Sequence, residues 1–283
     1  MPKLILSRKG LDSSSGGYPS PILEEKLLSI PIPQTHQGIP YNRIQTPVKR
    51  SVKSLGNELG MELPASCHLD PDLTYESLKL RPNGWKPCFG QHGAALTHLV
   101  NHKVGVGDIF LFYGWFRQAE KINRTWRFVK KSPEQHIIYG FLEVGEMIHQ
   151  PHTASVPPWL TYHPHVKLAK VYGNLNTIFI AKDFSSLVED LPGAGTFDLH
   201  TSRILTSPLA SSRSLWELPA CFFDPQDHCL LSYHQSRKGK RHPSRERWRL
   251  VQNVARGQEF VVEQTPSIAA WIKAVLEGQG PSL

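Results

Sequence analysis

Short apolar runs, rich in β-branched and aromatic residues and bounded by turn residues, recur along the chain. Runs of this kind are typical of β-strands. They predict strands at residues 3–9, 28–32, 109–117, 126–129, 136–147, 176–181 and 259–263. Apolar residues at helical spacing predict helices at 93–102 and 267–276, and 214–222 is predicted to form a shorter helix or turn.

Strands outnumber helices in this pattern, and the two do not alternate, which indicates an α+β fold rather than a doubly wound parallel sheet. We therefore expect a mixed, strand-rich sheet with a few flanking helices. No internal repeat or long low-complexity tract divides the 283 residues, and only the proline-containing stretch 151–158 resembles a linker. The sequence predicts a single composite domain over residues 1–283.

The composition is that of a globular protein, with 40% hydrophobic and 20% charged residues. No apolar run approaches the roughly eighteen residues that span a bilayer, and the N-terminus lacks the features of a signal peptide. We therefore predict a cytoplasmic protein without a membrane partner. The four cysteines form no CxxC pair, which favours reduced thiols over a zinc site or a disulfide framework.

The formal net charge of +8 favours an anionic partner such as nucleic acid. The densest basic stretch is RKGKRHPSRERWR at 237–249. It either contacts phosphates or forms a solvated loop, and the sequence leaves both alternatives open.

The first predicted strand leads into a loop of small, hydroxylated and charged residues, SRKGLDSSSGG at 7–17. Its glycines can take positive φ and expose backbone N–H groups. The hydroxyls of Ser7, Ser13 and Ser14 and the charges of Arg8 and Lys9 add donors, so an anionic group such as a phosphate could bind there. A flexible turn after an edge strand is the alternative, because neither the Walker pattern nor the dinucleotide fingerprint is present.

Sequence stretches in a characteristic order cover nearly the whole chain. They are LILSRKGLDSSSGGYPSPI at 4–22, SIPIP at 29–33, HLDPDL at 68–73, FGQHGAALTHL at 89–99, VGVGDIFLFYGWFRQ at 104–118, YGFLEVGEM at 139–147, YHPH at 162–165, NTIFIA at 176–181, PGAGTF at 192–197, SLWELPACF at 214–222, LSYH at 231–234 and ARGQEFV at 255–261. This set resembles the third nucleotide-modification-associated domain family. The resemblance implies a DNA base-modification enzyme, without naming the reaction.

A shorter resemblance concerns the middle of the chain. A Gly-Asp turn precedes the apolar run at 109–113, and a later run passes through a glycine in the pattern Ile-x-Gly at 138–140. This pair is similar to strands of PUA-like barrels, the group that includes ASCH and EVE domains. The resemblance implies a barrel element over roughly 104–150 and a nucleobase pocket, although any antiparallel pair with a glycine kink would look alike.

Acidic residues supply candidates for catalysis. On an extended backbone, which the X-Pro step at Asp70 favours, His68, Asp70 and Asp72 share one face. Such a group suits a general base or a hard metal ion. An Asx turn around Pro71, in which both carboxylates cap local N–H groups, fits equally well. Asp12 in the Ser/Gly loop is a further candidate acid or base.

His163 and His165 flank Pro164, and imidazoles at this spacing suit either a transition metal or a structural pair. Because the spacing supplies no third ligand, the structural pair is favoured and no metal site is predicted. Nothing in the chain identifies a SAM, nicotinamide or flavin site, so the cofactor stays unknown.

Aromatic and amide side chains supply candidates for substrate binding. On a strand Trp115 and Arg117 point to the same side, where an indole can stack a base and a guanidinium can hold a phosphate or a carbonyl. The alternative is a buried aromatic with Arg117 paired to Glu143 or Glu146. Gln91 opens a predicted helix and either reads a base edge or caps the helix.

These features together predict a DNA base-modification enzyme that binds a nucleotide or a flipped base between the Ser/Gly loop and the sheet. Arg8 and Lys9 would hold phosphate, Asp12 or Asp70 would act as acid or base, Trp115 would stack and Arg117 would orient. Its class, transferase or hydrolase, and its oligomeric state stay open. The partner is DNA or a nucleotide, with RNA as a further possibility. The alternative function is a non-catalytic, PUA-like reader of modified bases.

Overall fold

The computed structural model describes residues 1–152, 154–224, 229–233, 240–251 and 259–279. Its strands, in chain order, are β1 (Lys3–Arg8), β2 (Ser20–Leu23), β3 (Lys26–Leu27), β4 (Ile32–Pro33), β5 (Ile39–Pro40), β6 (Ser66–His68), β7 (Cys88–His92), β8 (Ile109–Ile122), β9 (Thr125–Phe128), β10 (Glu134–His149), β11 (Asn176–Ala181), β12 (Ala194–Thr196), β13 (Trp216–Pro219), β14 (Phe223–Asp224), β15 (Cys229–Leu230), β16 (Lys240–Arg241), β17 (Trp248–Val251) and β18 (Glu259–Glu263). Strand residues outnumber helical ones, as expected for the strand-rich α+β class.

The helices are α1 (Val52–Glu58), α2 (Gly93–Asn101), α3 (Pro164–Lys167), α4 (Ala169–Tyr172) and α5 (Pro266–Glu277), with 3₁₀ turns at Tyr75–Ser77, Pro158–Leu160, Thr201–Arg203 and Ala220–Phe222. The ends of α5 follow from its sequence. The Thr265 hydroxyl accepts from the Ile268 N–H, Pro266 occupies the first turn, and Gly278 ends the helix at a φ of +65°. Along the described ranges of the chain, no helix combines the length and apolarity needed to cross a membrane.

The largest sheet is mixed. Its main path runs β18-β1-β8-β10-β11-β7, with β2, β9 and β12 paired to strands of this path and β3 paired to β2. β1 and β2 both run parallel to β8, whereas the other pairs are antiparallel. The parallel pairing of β1 with β8 places the loop after Arg8 at an end of the sheet, and the contact of Lys9 with the Phe89 ring brings this loop next to β7.

Both faces of this sheet are covered, so its central strands contain continuous apolar runs rather than alternating apolar and polar residues. Leu4 and Leu6 face one side, where α5 packs with Trp271 and Ile272. Ile5 faces the other, in the same cluster as residues of α2, β7 and β11. A third cluster surrounds α1 and the small sheet β4-β6-β5. β6, the middle strand of this small sheet, ends at His68 close to the end of β1.

Most of the predicted elements are confirmed in type, but one strand is wrong. The run predicted at 28–32 is interrupted, because β3 ends at Leu27 and β4 begins at Ile32. Between them the Ile30 N–H donates to the Ser20 hydroxyl instead of to a neighbouring strand. Pro31 has no N–H and cannot donate a backbone hydrogen bond to a neighbouring strand. The stretch 214–222 is a strand followed by a 3₁₀ turn.

The PUA-like barrel element expected over 104–150 is not confirmed. In the described residues the two long strands of this segment, β8 and β10, lie inside an open sheet path, and no closed barrel is found. Gly140 lies where their register shifts. A Cβ at this position would come within 2.9 Å of the Gly195 carbonyl oxygen, so close backbone approach explains the glycine kink.

Candidate functional site

A cleft of about 220 Å³ opens where the ends of β1, β6 and β7 meet α3. The chain leaves a sheet at each of the three strand ends, so polar side chains can face the cleft without entering the core. The residues that line it are Arg8, Lys9, Gly10, Asp12, Ser15, Ile32, His68, Asp70, Gly90, Gln91, His92 and His165. Half of the candidates that the sequence identified therefore meet here.

Asp70 is the centre of the polar groups in this cleft. Its Oδ1 accepts a hydrogen bond of 2.8 Å from the Gly90 N–H and lies 3.3 Å from His163 Nε2. Its Oδ2 lies 3.7 Å from His68 Nε2 and 3.6 Å from His165 Nε2. Burial opposes ionisation, but the hydrogen bonds of the His163 and His68 imidazoles hold the pKa of Asp70 well below its usual value. Asp70 is therefore ionised, and its carboxylate is surrounded by the imidazoles of three histidines.

The protonation of His165 follows from its contacts. Asn176 Nδ2 donates to the His165 carbonyl oxygen at 2.8 Å, which orients the amide so that Asn176 Oδ1 faces His165 Nδ1 at 2.7 Å. Because Oδ1 only accepts, Nδ1 carries the proton. Burial lowers the pKa of His165 to about 3, and the Asp70 charge offsets this only in part. The ring is thus neutral at neutral pH, and its Nε2 lone pair faces Asp70.

Gly90 allows this arrangement. A Cβ at residue 90 would lie 2.3 Å from atoms of the His165 ring, a distance that no carbon contact tolerates. The ring therefore packs directly on the backbone of β7. The Gly90 N–H on the same residue binds Asp70, so one glycine sets the position of both side chains.

Replacing Gly90 by alanine should lower the free energy of unfolding by about 1–3 kcal/mol, the usual range for an added methyl group in a tightly packed site. Urea unfolding measures this loss. Gly105→Ala is the matched control, because no atom beyond its chain neighbours lies within 4 Å of the position that its added methyl group would take. It should change stability by less than about 0.5 kcal/mol. Equal effects of the two variants would contradict the packing of His165 against β7.

The Ser/Gly loop is organised by Asp12. Its Oδ1 accepts from the N–H and hydroxyl of Ser14 and from the Ser15 N–H, at 2.7 to 2.9 Å. Burial alone would raise the pKa of Asp12, but the bonds from Ser14 and Ser15 and the charge of Arg8 lower it. Ser13 and Ser14 are exposed and do not line the cleft, whereas Ser15 does. These contacts favour a loop-capping role for Asp12.

A buried carboxylate that the sequence did not single out lies beside the cleft. Glu259 Oε1 is 3.2 Å from Lys9 Nζ and accepts from Gln91 Nε2 at 2.6 Å. The Lys9 ammonium also lies 4.6 Å from the centre of the Phe89 ring. Gln91 is therefore held in place by β18. Ser7 is fully buried below the cleft and does not line it.

Of the three residues that the sequence could place on one face, His68 and Asp70 lie together, whereas Asp72 does not join them. Asp72 Oδ1 accepts from Arg81 Nη2 at 2.6 Å, and both side chains have an exposure of 0%. The Tyr162 hydroxyl donates to the same carboxylate. With its negative charge matched by a buried guanidinium, Asp72 forms a structural ion pair outside the cleft.

Trp115 and Arg117 also lie away from the cleft. The Trp115 ring is buried, and the Arg213 guanidinium lies 4.0 Å from its centre. Arg117 donates to the Val129 carbonyl at 2.9 Å, and Glu143 pairs with Lys182. The alternative ion pair of Arg117 with Glu143 or Glu146 is therefore not found among the described residues. Arg8 and Asp12 line the cleft, whereas Arg117 does not.

The basic stretch lies partly outside the described residues, which omit 234–239. Within the described part, Arg245 Nη1 lies 3.3 Å from Glu217 Oε2, and Arg249 donates to nearby carbonyls. Contact of this stretch with phosphates stays a prediction.

Fold and site together define an α+β protein whose mixed sheet carries, at one end, a polar cleft built around a carboxylate, histidines and basic side chains. The model of nucleotide modification associated domain 3 matches residues 3–263, and the chain belongs to that family. No curated protein and no solved structure matches the chain. The family description supports a role in nucleotide modification and names no specific activity.

Proposed function

We propose that this protein modifies a nucleobase, in DNA or in a nucleotide, and that the reaction takes place in the cleft around Asp70. The main support for the proposal is that two groups of side chains line the same cleft. Arg8 and Lys9 come from the end of β1, and Asp70 and its neighbouring histidines come from distant segments. Anion-binding and proton-transferring groups within one cleft are what such a reaction needs.

The available space supports a nucleotide-sized ligand. A second cavity of about 350 Å³ adjoins the cleft, and both are lined by Gly10 and Asp70. Its wall is largely apolar and includes Leu27, Leu73 and Tyr139. Together the two fall in the size range of small-molecule sites. We infer that the base enters the apolar cavity while a phosphate meets Arg8 and Lys9, so that Asp70 lies between them.

The reader of modified bases remains the second candidate and needs no carboxylate in its pocket. Asp12 and Asp70 line the cleft with Arg8, which favours the enzyme. Asp72 lines the adjoining cavity, but its carboxylate is paired with the buried Arg81 and supports neither function. Whether the enzyme transfers or removes a group stays open, because no donor site is identified by the geometry.

The test is mass spectrometry of nucleosides from DNA and RNA of cells with the intact gene, without it, and with a plasmid-borne copy. We expect a nucleoside that is present with the gene, absent without it and restored by the copy. A nucleoside profile that does not change, together with selective binding of modified DNA by the purified protein, would favour the reader.

A further inference from the structure

We propose that His68, Asp70 and His165 bind one divalent transition-metal ion, through His68 Nε2, Asp70 Oδ2 and His165 Nε2. One ligand atom from each of these side chains lies within 4.8 Å of the other two. The two segments that supply them are about a hundred residues apart, so the spacing along the sequence could not reveal the site.

The distances suit such an ion. Asp70 Oδ2 lies 3.7 Å from His68 Nε2 and 3.6 Å from His165 Nε2. Two ligands bonded at about 2.1 Å to a tetrahedral ion lie roughly 3.4 Å apart. The two distances from Asp70 Oδ2 would therefore shorten by only a few tenths of an ångström. The ligand atoms of the two imidazoles, which lie within 4.8 Å of each other, would approach by at most about 1.4 Å, and rotation about the side-chain bonds of His68 can supply this movement.

The neighbouring contacts point the ligand atoms toward the ion. On Asp70 the other oxygen, Oδ1, accepts from the Gly90 N–H, and on His165 the other nitrogen, Nδ1, donates to Asn176. Metal sites in proteins are commonly held by this second layer of hydrogen bonds. His165 Nε2 and Asp70 Oδ2 are thereby left facing each other at 3.6 Å, and both residues line the cleft.

The donor set selects the class of metal. Two imidazole nitrogens and one carboxylate oxygen suit Zn²⁺ or Fe²⁺ better than Mg²⁺ or Ca²⁺, which prefer oxygen ligands. Three protein ligands leave at least one position for water or substrate, the arrangement of catalytic rather than structural zinc sites. The three ligand residues also line the cleft with Arg8 and Lys9, so that position is accessible to an anionic ligand.

The experiment is a titration of the full-length, chelator-treated protein with Zn²⁺, followed by calorimetry, and with Co²⁺, followed by its visible absorption. We expect one ion per chain. His68→Ala should weaken binding by about a hundredfold or more, and Asn176→Ala by about 10–100-fold, since removal of an outer hydrogen bond has this effect in known sites. His102→Ala, a histidine outside the cleft, is the matched control and should bind as the wild type does.

The proposal concerns the same cleft as the proposed function, but the titration does not depend on any reaction. Absence of a modified nucleoside with normal Zn²⁺ binding would overturn the function alone. No binding of Zn²⁺ or Co²⁺, or equal affinity in wild type and His68→Ala, would overturn the metal site. Thermal unfolding of the metal-free variants separates loss of a ligand from loss of the fold. Added Zn²⁺ should raise the unfolding temperature of the wild type and not that of His68→Ala.

Discussion

Asp70→Asn should lower the rate at which the modified nucleoside accumulates by at least about a hundredfold, the usual scale for removal of a reacting carboxylate. Asparagine keeps the size of the side chain and can still accept from the Gly90 N–H, but it has no negative charge. That charge is needed whether the group moves a proton or binds a cation. The measurement is a time course of nucleoside mass spectrometry after the variant gene is induced in a deletion strain.

Asp12→Asn is the informative comparison, because the sequence identified both residues as candidate acids or bases. An asparagine at residue 12 can still accept the hydrogen bonds from Ser14 and Ser15, so we expect a much smaller loss than at Asp70. Asp198→Asn, which alters an exposed pair with Lys26, controls for expression. A hundredfold loss at Asp12 with normal activity at Asp70 would assign the chemistry to the Ser/Gly loop instead.

Arg81→Met should lower the free energy of unfolding by about 3–5 kcal/mol, because it leaves the Asp72 carboxylate buried without its cation. The two side chains have an exposure of 0%, so water cannot replace the lost partner. In the wild type the Arg81 guanidinium lies 4.4 Å from the centre of the Trp85 ring. Methionine fills much of the same volume beside this ring. Urea unfolding followed by circular dichroism gives the difference.

Lys86→Met is the control for that experiment, because it breaks an ion pair with Asp183 whose side chains are 47% and 73% exposed. Exposed pairs of this kind contribute less than about 1 kcal/mol. The double variant Asp72→Asn, Arg81→Met removes both charges together. Its loss in free energy of unfolding should therefore be smaller than the sum of the losses of the two single variants. A loss at Arg81 no larger than that at Lys86 would show that solvent reaches the pair.

The sequence alone was sufficient for features that depend on neighbouring residues. The apolar runs at 109–117 and 136–147 predicted β8 and β10, and Pro266 and Gly278 marked the ends of α5. The stretches that resemble the family identified it, and the match over residues 3–263 confirms this identification. Local patterns carry such information because a strand or a helix terminus is set mainly by a few adjacent side chains. The single domain over residues 1–283 stays a prediction.

Only the tertiary structure decided which polar groups meet. Asp70 and Asp72 are two residues apart, yet one lies among histidines and the other against Arg81. Periodicity could not separate them, because each partner comes from a different part of the chain. The His165 ring packs on the backbone of Gly90, and the Gly90 N–H donates to Asp70. These contacts depend on how β7 and α3 pack. The sequence by itself determined most of the elements and the family, and half of the candidates that it identified lie in the cleft. The packing of distant segments determined the cleft, because side chains far apart in sequence interact only after the fold has brought them together.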